Sequence, residues 1–418
     1  MQITDGSELI FPNQYADRGY PHDIWTRLRG ESPVHRCEPP GYQPFWAITK
    51  HADICDISKR PGAFENARGI VVLDDEQARM RETDQSGLAG MKTIIEMDPP
   101  VHRTFRKVAS GWFTPRSLAR LESAVEESAR SLVDALAADG DGECDFVTRV
   151  AVAHPLRILS GALGVPREDE ALILRLTNEL FSSDDPEFQR EGVTREERIQ
   201  QIGLEFFHYF SKIIADRRAN PRDDLATVLA NAQIDGAPMG PVETLGYYLI
   251  VFTAGHDTTR NAISGGLLAL LENPDQLARL RADPGLTPSA VEEIVRWTTP
   301  VNYMKRTVVD DVELRGQKIR AGEELMLCYA SANRDEEVFD DPFAFRIERN
   351  PNRHLGFGIG EHFCLGAHLA RRSQAALFGE IARRVEQLEL AGEPQRTASS
   401  FVAGVKHLPV RYRFAKSR

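Results

Sequence analysis

The residue of this sequence with the clearest chemical potential is a cysteine at the end of a glycine-rich segment. Cys364 follows Gly356, Gly358 and Gly360, and a helical pattern starts immediately after it. Glycines let the backbone take positive φ and approach a flat object closely. The dipole and the free N–H groups of a helix start favour a thiolate. The segment therefore has the features that hold heme iron through sulfur, although a lone cysteine is more often a small buried apolar residue.

Two further side chains, in the segment 97–107, are suited to binding carboxylates. Pro99 or Pro100 is predicted to start a helix, because proline is tolerated in a first turn. His102 and Arg106 are four residues apart and therefore lie on one face of that helix. An imidazole and a guanidinium can together form charge-assisted hydrogen bonds to a carboxylate. The alternative is a solvated helix face, which is the commoner role of such a pair.

The segment 241–273 predicts one long helix, which at this length must run through the body of the protein. Ala254 and Gly255 remove side chains from one face in its middle, and a mid-helix glycine costs roughly 1 kcal/mol. That cost is consistent with a bulky group lying against this face. Thr258 can donate a hydrogen bond to the carbonyl of Ala254 and bend the helix locally. The alternative is that the glycine serves close helix packing.

Glu293 and Arg296 are three residues apart in another predicted helix, where they can form an ion pair. Exposed pairs of this kind contribute only a few tenths of a kcal/mol, and the spacing occurs often by chance. The pair is of interest because it precedes Cys364 by about seventy residues.

The composition of the chain limits the classes of protein to which it can belong. The 418 residues carry 51 basic and 62 acidic side chains, a formal charge of −11, and 42% are hydrophobic, enough for a large packed core. No apolar run approaches the roughly 20 residues of a membrane span, and the first residues lack the pattern of a signal peptide. We therefore expect a cytoplasmic protein, and the acidic balance argues against a nucleic-acid partner. Five scattered cysteines exclude a zinc ribbon and ferredoxin-type iron–sulfur spacing.

The elements that must position these residues are mostly helical. Apolar periodicity and breaker residues predict further helices at residues 20–29, 51–58, 117–139, 150–163, 168–218 with a break at 182–188, 221–231 and 290–297. Hairpins are predicted at 32–49 and 312–322, and a strand at 300–306. Residues 64–95 are predicted to form an irregular loop, either functional or a surface excursion. Residues 324–330 fit a helix or a strand, and two short strands are predicted to close the chain.

The string Phe357-Gly-x-Gly-x-His362-x-Cys364-x-Gly366, followed by Leu369-Ala-Arg371, resembles the heme-binding signature of the cytochrome P-450 superfamily. The three segments described above resemble further motifs of that family, in the same order, between residues 97 and 372. The resemblance implies a mainly α fold, a helical prism with small β-sheets around a buried heme b (iron protoporphyrin IX). It also implies a single heme domain over residues 1–418, without a fused reductase.

The resemblance assigns roles to the residues at matching positions. Cys364 is implied to be the axial iron ligand, and Asp257 and Thr258 are implied to relay protons during oxygen activation. The residues implied to bind the heme propionates are His102, Arg106, Arg306 and His362. The residues implied to give the heme clearance or to pack beside it are Ala254, Gly255, Phe357, Gly358 and Gly366.

The resemblance also assigns a structural ion pair to Glu293 and Arg296, with Arg346 or Arg349 as a third partner. The candidate substrate contacts come from the loop 64–95 and from the strand 300–306. They are Ile70, Val72, Met91, Ile94, Val301, Tyr303 and Met304.

The implied reaction is insertion of one oxygen atom from dioxygen into a substrate C–H bond. Two electrons are implied to come from NAD(P)H through a ferredoxin or flavodoxin and its reductase. The candidate docking patch for an acidic ferredoxin consists of Arg103, Lys107, Arg116, Arg353 and Arg372.

Three framework segments bear on the substrate. Residues 293–300, 331–339 and 349–352 resemble actinobacterial hydroxylases of sterol side chains and methyl-branched lipids, which favours a steroid, sterol or branched-lipid substrate. A terpenoid or polyketide hydroxylase is the alternative. A peroxygenase and a heme-binding sensor are rival classes. The presence of Asp257 and Thr258 argues against a peroxygenase, which typically replaces this pair, whereas a sensor would not need Thr258.

Overall fold

The structure, a computed structural model, describes residues 3–83, 93–181 and 184–414. Within these ranges the α-helices are α1 (Ser7–Ile10), α2 (Pro12–Arg18), α3 (His22–Glu31), α4 (His51–Ser58), α5 (Asp75–Thr83), α6 (Val101–Ser110), α7 (Pro115–Leu118), α8 (Glu122–Ala138), α9 (Ala153–Leu163), α10 (Glu170–Phe181), α11 (Arg195–Ala219), α12 (Leu225–Ala230), α13 (Pro241–Glu272), α14 (Pro274–Ala282), α15 (Thr287–Thr298), α16 (Tyr329–Ala332) and α17 (Ala367–Arg384). The strands are β1 (Val34–Cys37), β2 (Phe45–Ile48), β3 (Phe64–Glu65), β4 (Gly142–Asp145), β5 (Gln233–Ile234), β6 (Ala237–Pro238), β7 (Tyr303–Val308), β8 (Val312–Leu314), β9 (Gln317–Ile319), β10 (Glu324–Cys328), β11 (Val385–Leu390), β12 (Gln395–Arg396), β13 (Val405–His407) and β14 (Pro409–Phe414). The fold is mainly α with small sheets, as the family resemblance implies. None of the described helices combines the length and the hydropathy that a membrane crossing requires.

The largest sheet has five strands in the order β1-β2-β10-β7-β3. β1 and β2 form the predicted hairpin, with Val34 opposite Ile48 and Cys37 opposite Phe45. β10 pairs in parallel with β2 and antiparallel with β7. Four of its five residues are buried, so both of its faces are covered. A strand buried on both faces lacks the alternation that distinguishes a strand from a helix, which is why the sequence left this element undecided.

Two predictions about the less regular parts of the chain were wrong. The predicted loop 64–95 contains β3 and α5. α5 has no buried residue, so it lacks the apolar stripe from which a helix is predicted. The end of the chain forms four strands, β11 to β14, instead of two. β12 and β13 contain only two and three residues, which is too short for a periodic signal.

α13 is the predicted long helix, and it packs into two hydrophobic clusters. Its 32 residues extend about 48 Å at 1.5 Å per residue. Tyr248 and Phe252 pack in one cluster with α9, α10, α11 and α12, whereas Ile263 and Leu267 pack in the other with α8, α15 and α17. In the stretch 254–258 between them, the three residues that line the cavity described below are small: Ala254, Gly255 and Thr258. The helix is therefore anchored at both ends while its middle leaves room on one face.

A buried ion pair on α15 holds the loop that precedes α17. The Nε and Nη2 atoms of Arg296 each donate to the Glu293 carboxylate over 2.7 Å, and both side chains are fully buried. Arg349 Nε lies 3.2 Å from Glu293 Oε2, so Arg349 is the third side-chain partner. Arg346 contributes through its backbone N–H, which donates to Glu293 Oε1 over 2.8 Å. The structure thus forms the predicted pair and uses both candidate partners in different ways.

We expect Glu293→Gln to lower the free energy of unfolding by about 3–5 kcal/mol, because two buried guanidiniums would lose their charged partner. Urea denaturation of the purified protein measures this change. Glu31→Gln is the matched control, since Glu31 forms an exposed pair with Arg27 at 3.6 Å and exposed pairs contribute little. If the two variants had the same free energy of unfolding, the buried network would not make the expected contribution to stability.

Candidate active site

A cavity of about 250 Å³, the inner cavity, lies between α13, α17 and the loop that ends at Cys364. Most of the predicted site residues line it. They are His102, Arg106, Ala254, Gly255, Thr258, Arg306, Phe357, Gly358, His362, Cys364 and Gly366, together with the substrate candidates Ile94, Val301 and Met304. The fold therefore brings motifs from distant parts of the chain to one place.

The loop before α17 presents the Cys364 thiol to the inner cavity. The backbone N–H of Cys364 donates to the carbonyl of Phe357 over 2.9 Å, which closes the loop. Gly360 has φ +78°, and a Cβ there would lie 2.4 Å from the carbonyl oxygen of Ser58, so only glycine fits. Burial raises the pKa of the Cys364 thiol, whereas the N–H of Gly366 favours the thiolate. Cys364 nevertheless has accessible surface, and this surface faces the cavity.

Two stacked imidazoles lie on one side of the inner cavity. The ring centroids of His102 and His362 are 4.1 Å apart. Burial lowers the pKa of both residues, that of His362 to about 3, so both rings are neutral at pH 7. Both ring nitrogens of His102 and Nε2 of His362 are buried and have no hydrogen-bond partner among the described residues. Because buried polar atoms are nearly always satisfied, these nitrogens point to a hydrogen-bonding group that the cavity receives.

Two arginines add positive charge to the same cavity. Arg306 is only 5% exposed, and its Nη1 donates to the carbonyl of Lys305 over 2.8 Å. Arg106 Nη2 donates to the carbonyl of Phe363 over 2.6 Å. Within the described part of the chain, both guanidiniums bond to carbonyls and form no ion pair. Burial lowers the pKa of Arg306, and a buried guanidinium without a counter-ion is costly, so an anionic group fits here.

These features fit heme b. Its two carboxylates would meet donors of the type that binds them, two guanidiniums and two imidazoles. Gly366 lies beside Cys364, and a Cβ on it would meet no atom within 4 Å. That open space suits a flat group held close to the backbone and next to the thiol.

The cavity wall formed by α13 bears on two predictions, the hydrogen bond of Thr258 and the role of Gly255. Thr258 Oγ1 donates to the carbonyl of Ala254 over 2.6 Å, as the sequence predicts, although α13 stays continuous. A Cβ on Gly255 would approach both terminal methyl carbons of Leu159 on α9 at 3.2 Å. This glycine therefore serves close helix packing as well as lining the cavity.

Asp257 lies off the inner cavity and belongs to the buried side of α13. Its carboxylate is 2.9 Å from Arg260 Nη2, and both side chains are almost fully buried. Arg260 Nη1 donates to Asn178 Oδ1 on α10 over 2.9 Å. Burial raises the pKa of Asp257, and the charge of Arg260 opposes this shift. Of the two predicted relay residues, only Thr258 lines the cavity.

The remaining substrate candidates are placed elsewhere. Ile70, Val72 and Tyr303 line a second cavity of about 300 Å³, the outer cavity. Met91 lies outside the described residues. The predicted set of substrate contacts is therefore divided between two cavities.

Sequence reasoning missed several apolar residues of the inner cavity. Ile250 and Val251 precede Ala254 by one helical turn, so the periodicity of α13 could have identified them. Ile95 and Ile250 line both cavities, which makes the two cavities adjacent. Phe113 also lines the inner cavity, but an isolated apolar residue cannot be told from an ordinary core residue in the sequence.

Comparison with known proteins agrees with this site. The family model described as Cytochrome P-450 matches residues 71–284 and 285–405. Cytochrome P-450-terp of Pseudomonas sp is 41% identical over 412 residues, which cover 97% of this chain and 96% of the relative. A methyl-branched lipid omega-hydroxylase of Mycobacterium tuberculosis is 39% identical, covering 92% and 90%. A steroid C26-monooxygenase of Mycolicibacterium smegmatis is 36% identical, covering 94% and 90%.

The fold agrees as well. A crystal structure of a cytochrome P-450 from Novosphingobium aromaticivorans has a TM-score of 0.89 and 39% sequence identity, with 98% of each chain covered. A Mycobacterium marinum cytochrome P-450 in complex with pseudoionone has a TM-score of 0.85 and 36% identity, covering 93% of this chain and 94% of that one. With a thiol-bearing cavity suited to a heme and matches of this extent, the chain belongs to the cytochrome P-450 family, binds heme b as its members do, and is a cytochrome P-450 monooxygenase.

Proposed function

We propose that this enzyme hydroxylates a lipophilic small molecule, that the Cys364 sulfur would bind the heme iron, and that a ferredoxin is the electron donor. The observation that carries the proposal is one cavity that combines the Cys364 thiol, unpaired donors suited to carboxylates and apolar side chains. Heme b, when bound, supplies the iron that activates dioxygen. In the overall balance, one oxygen atom enters a substrate C–H bond, and the other leaves as water with two electrons and two protons.

The residues of the inner cavity hold and orient the heme in this proposal. The propionate-binding set is His102, Arg106, Arg306 and His362. The imidazoles donate through a ring N–H and the guanidiniums through charge-assisted hydrogen bonds. Phe357 packs beside the sulfur, and its ring is covered by the Arg371 guanidinium at 4.4 Å. Gly358 and Gly366 keep the backbone close, and the small residues Ala254 and Gly255 leave room along α13.

The absorption spectrum of the reduced protein with carbon monoxide tests the proposed ligand. Thiolate ligation by Cys364 predicts a strongly red-shifted Soret band, which Cys364→Ser should abolish. Cys328→Ser is the matched control, because Cys328 is a buried cysteine in β10 and outside the inner cavity. A red-shifted band in C364S, or folded protein that takes up no heme, would overturn the assignment.

Thr258 and Asp257 relay protons in this proposal. Thr258 stands at the cavity wall with its hydroxyl bonded to the Ala254 carbonyl. Asp257 is held by Arg260 on the buried side of α13, so it supplies a proton to Thr258 only after this ion pair opens. Positioned proton transfer of this kind typically contributes roughly 10²–10⁴-fold to a rate.

We expect Thr258→Ala to divert electrons to hydrogen peroxide and to lower product per NAD(P)H by about tenfold or more, since the lost group positions protons. Product, peroxide and NAD(P)H are measured together. Thr244→Ala is the control, because the Thr244 hydroxyl likewise donates to a carbonyl of the preceding turn, that of Gly240, and Thr244 lies outside the inner cavity. Coupling that is unchanged in T258A would show that Thr258 is dispensable, as in a peroxygenase or a heme-binding sensor.

The favoured substrate is a steroid, a sterol side chain or a branched lipid. Apolar residues around the inner cavity support a lipophilic substrate: Ile94, Ile95, Ile250, Val251, Val301 and Met304. Relatives named as a methyl-branched lipid omega-hydroxylase and a steroid C26-monooxygenase, at 39% and 36% identity, support this class. The alternative is a terpenoid or polyketide substrate. The complex of a structural relative with pseudoionone and a relative from a bacillaene polyketide synthase support the alternative, the latter at only 29% identity.

A basic surface beside the Cys364 loop is the proposed ferredoxin site. Lys107, Arg116 and Arg353 are exposed there. Arg103 is exposed too, but Glu361 neutralises it through an ion pair. Arg372 is partly buried and donates to the carbonyl of Pro115 over 3.3 Å. The charge available to a partner therefore comes mainly from the three exposed residues, which form no ion pair with any residue that the structure describes.

We expect the double variant Lys107→Glu with Arg116→Glu to raise the KM for an acidic ferredoxin by about tenfold at low ionic strength, through lost electrostatic attraction. The difference should shrink as salt is added. Lys318→Glu on β9 makes a similar charge change at an exposed position of another surface, so it serves as the control. An equal KM for the double variant and K318E would remove this surface from the proposal.

A further inference from the structure

The outer cavity is adjacent to the inner one. Ile95 and Ile250 line both cavities and form their common boundary. The outer cavity has a volume of about 300 Å³, similar to the 250 Å³ of the inner cavity. A molecule that reacts beside Cys364 and Thr258 and is long enough to pass these isoleucines therefore extends into the outer cavity.

The outer cavity carries buried hydroxyl groups. Thr253, Tyr303, Ser399 and Ser400 line it and are 1%, 2%, 6% and 8% exposed. The Tyr303 hydroxyl accepts from the Val72 N–H over 3.4 Å, and Thr253 donates to a carbonyl of its own helix. The Ser399 hydroxyl lies on the same wall. Hydroxyl groups can both donate and accept hydrogen bonds, so this wall suits a ligand that offers a donor or an acceptor.

The charge of the outer cavity is negative. Its described lining includes three acidic residues, Asp74, Glu96 and Asp184, and no basic residue. Arg195 is close by, but its two Nη atoms are bonded to Asp74 at 2.6 Å and to Asp184 at 2.9 Å. Arg198 also contributes positive charge near Asp184. Three carboxylates therefore face two guanidiniums, and the net charge around the cavity is negative. A ligand carboxylate here would meet like charges, which disfavours its binding.

We propose that the outer cavity selects the far end of the substrate and accepts a neutral hydroxyl group there while rejecting a carboxylate. The substrate is then an elongated lipophilic alcohol, such as a hydroxylated sterol, whose apolar end lies over Cys364. The hydroxyl bonds to Ser399 and its neighbours, and Asp184 and Glu96 exclude acids. This inference rests on the proposed function and narrows its substrate class.

The test compares 1-dodecanol with dodecanoate in titrations of the heme-loaded enzyme at pH 7.5, followed by the spin-state shift of the Soret band. We expect 1-dodecanol to bind at least about tenfold more tightly, because only dodecanoate places a charge among the acidic residues. The double variant Asp184→Asn with Glu96→Gln should bring the two affinities together. Glu196→Gln removes an exposed carboxylate next to Arg195 that does not line the cavity, and it should leave their ratio unchanged.

Three outcomes would overturn the proposal. They are equal or tighter binding of dodecanoate, an unchanged ratio in the double variant, and the absence of a shift with 1-dodecanol. The carbon monoxide spectrum of the same preparation separates these failures from failure of the proposed function. A red-shifted band combined with any of the three outcomes rejects only the alcohol selectivity, whereas absence of that band rejects thiolate ligation itself.

Discussion

The buried carboxylate of Glu293 is the constraint on which the position of the active site depends. It accepts hydrogen bonds from Arg296 on its own helix, from Arg349 and from the backbone of Arg346. Arg296 also donates to the carbonyls of Asn333 and Pro342. Two residues of α15 thereby tie together the loops that lead into α17. A charge at zero exposure is costly unless it is paired and hydrogen-bonded, so a shift of these loops that broke its hydrogen bonds would be unfavourable.

The inner cavity differs from this network, because its buried polar groups are not fully paired. Its hydrogen-bonding groups are buried but incompletely paired: Arg306 is 5% exposed and has no counter-ion among the described residues, and both ring nitrogens of the neutral His102 have no partner there. Such an arrangement costs stability in the protein alone and becomes favourable when two carboxylates arrive. Part of the free energy of heme binding would therefore come from hydrogen bonds to polar groups that have no partner in the protein alone. Stability elsewhere, in the two clusters around α13 and in the Glu293 network, offsets that cost.

α13 contributes residues to the walls of both cavities. Its turns place Ile250 at the boundary of the two cavities, Thr258 at the inner wall and Asp257 on the far side with Arg260. Gly255 allows α9 to approach closely enough for Leu159 to touch it. One helix thus sets the distance between the inner cavity at Thr258 and the outer cavity beyond Ile250.

The sequence by itself determined the chemistry of this protein, because that chemistry depends on residue types at short spacing. The string around Cys364, the His102 and Arg106 pair, the Thr258 bond to the preceding turn and the Glu293 pair are all local patterns, and local geometry follows from helix and loop rules. The tertiary structure alone decided what depends on distant contacts: β10 as a strand, the placement of Asp257 away from the cavity, and Arg349 as the side chain that completes the Glu293 network. It also decided that Ile94 and Met304 share a cavity while Ile70 and Tyr303 line another. The sequence does not show which apolar and acidic residues become neighbours after folding. The division into two cavities and the negative charge of the outer one are therefore visible only in the folded chain.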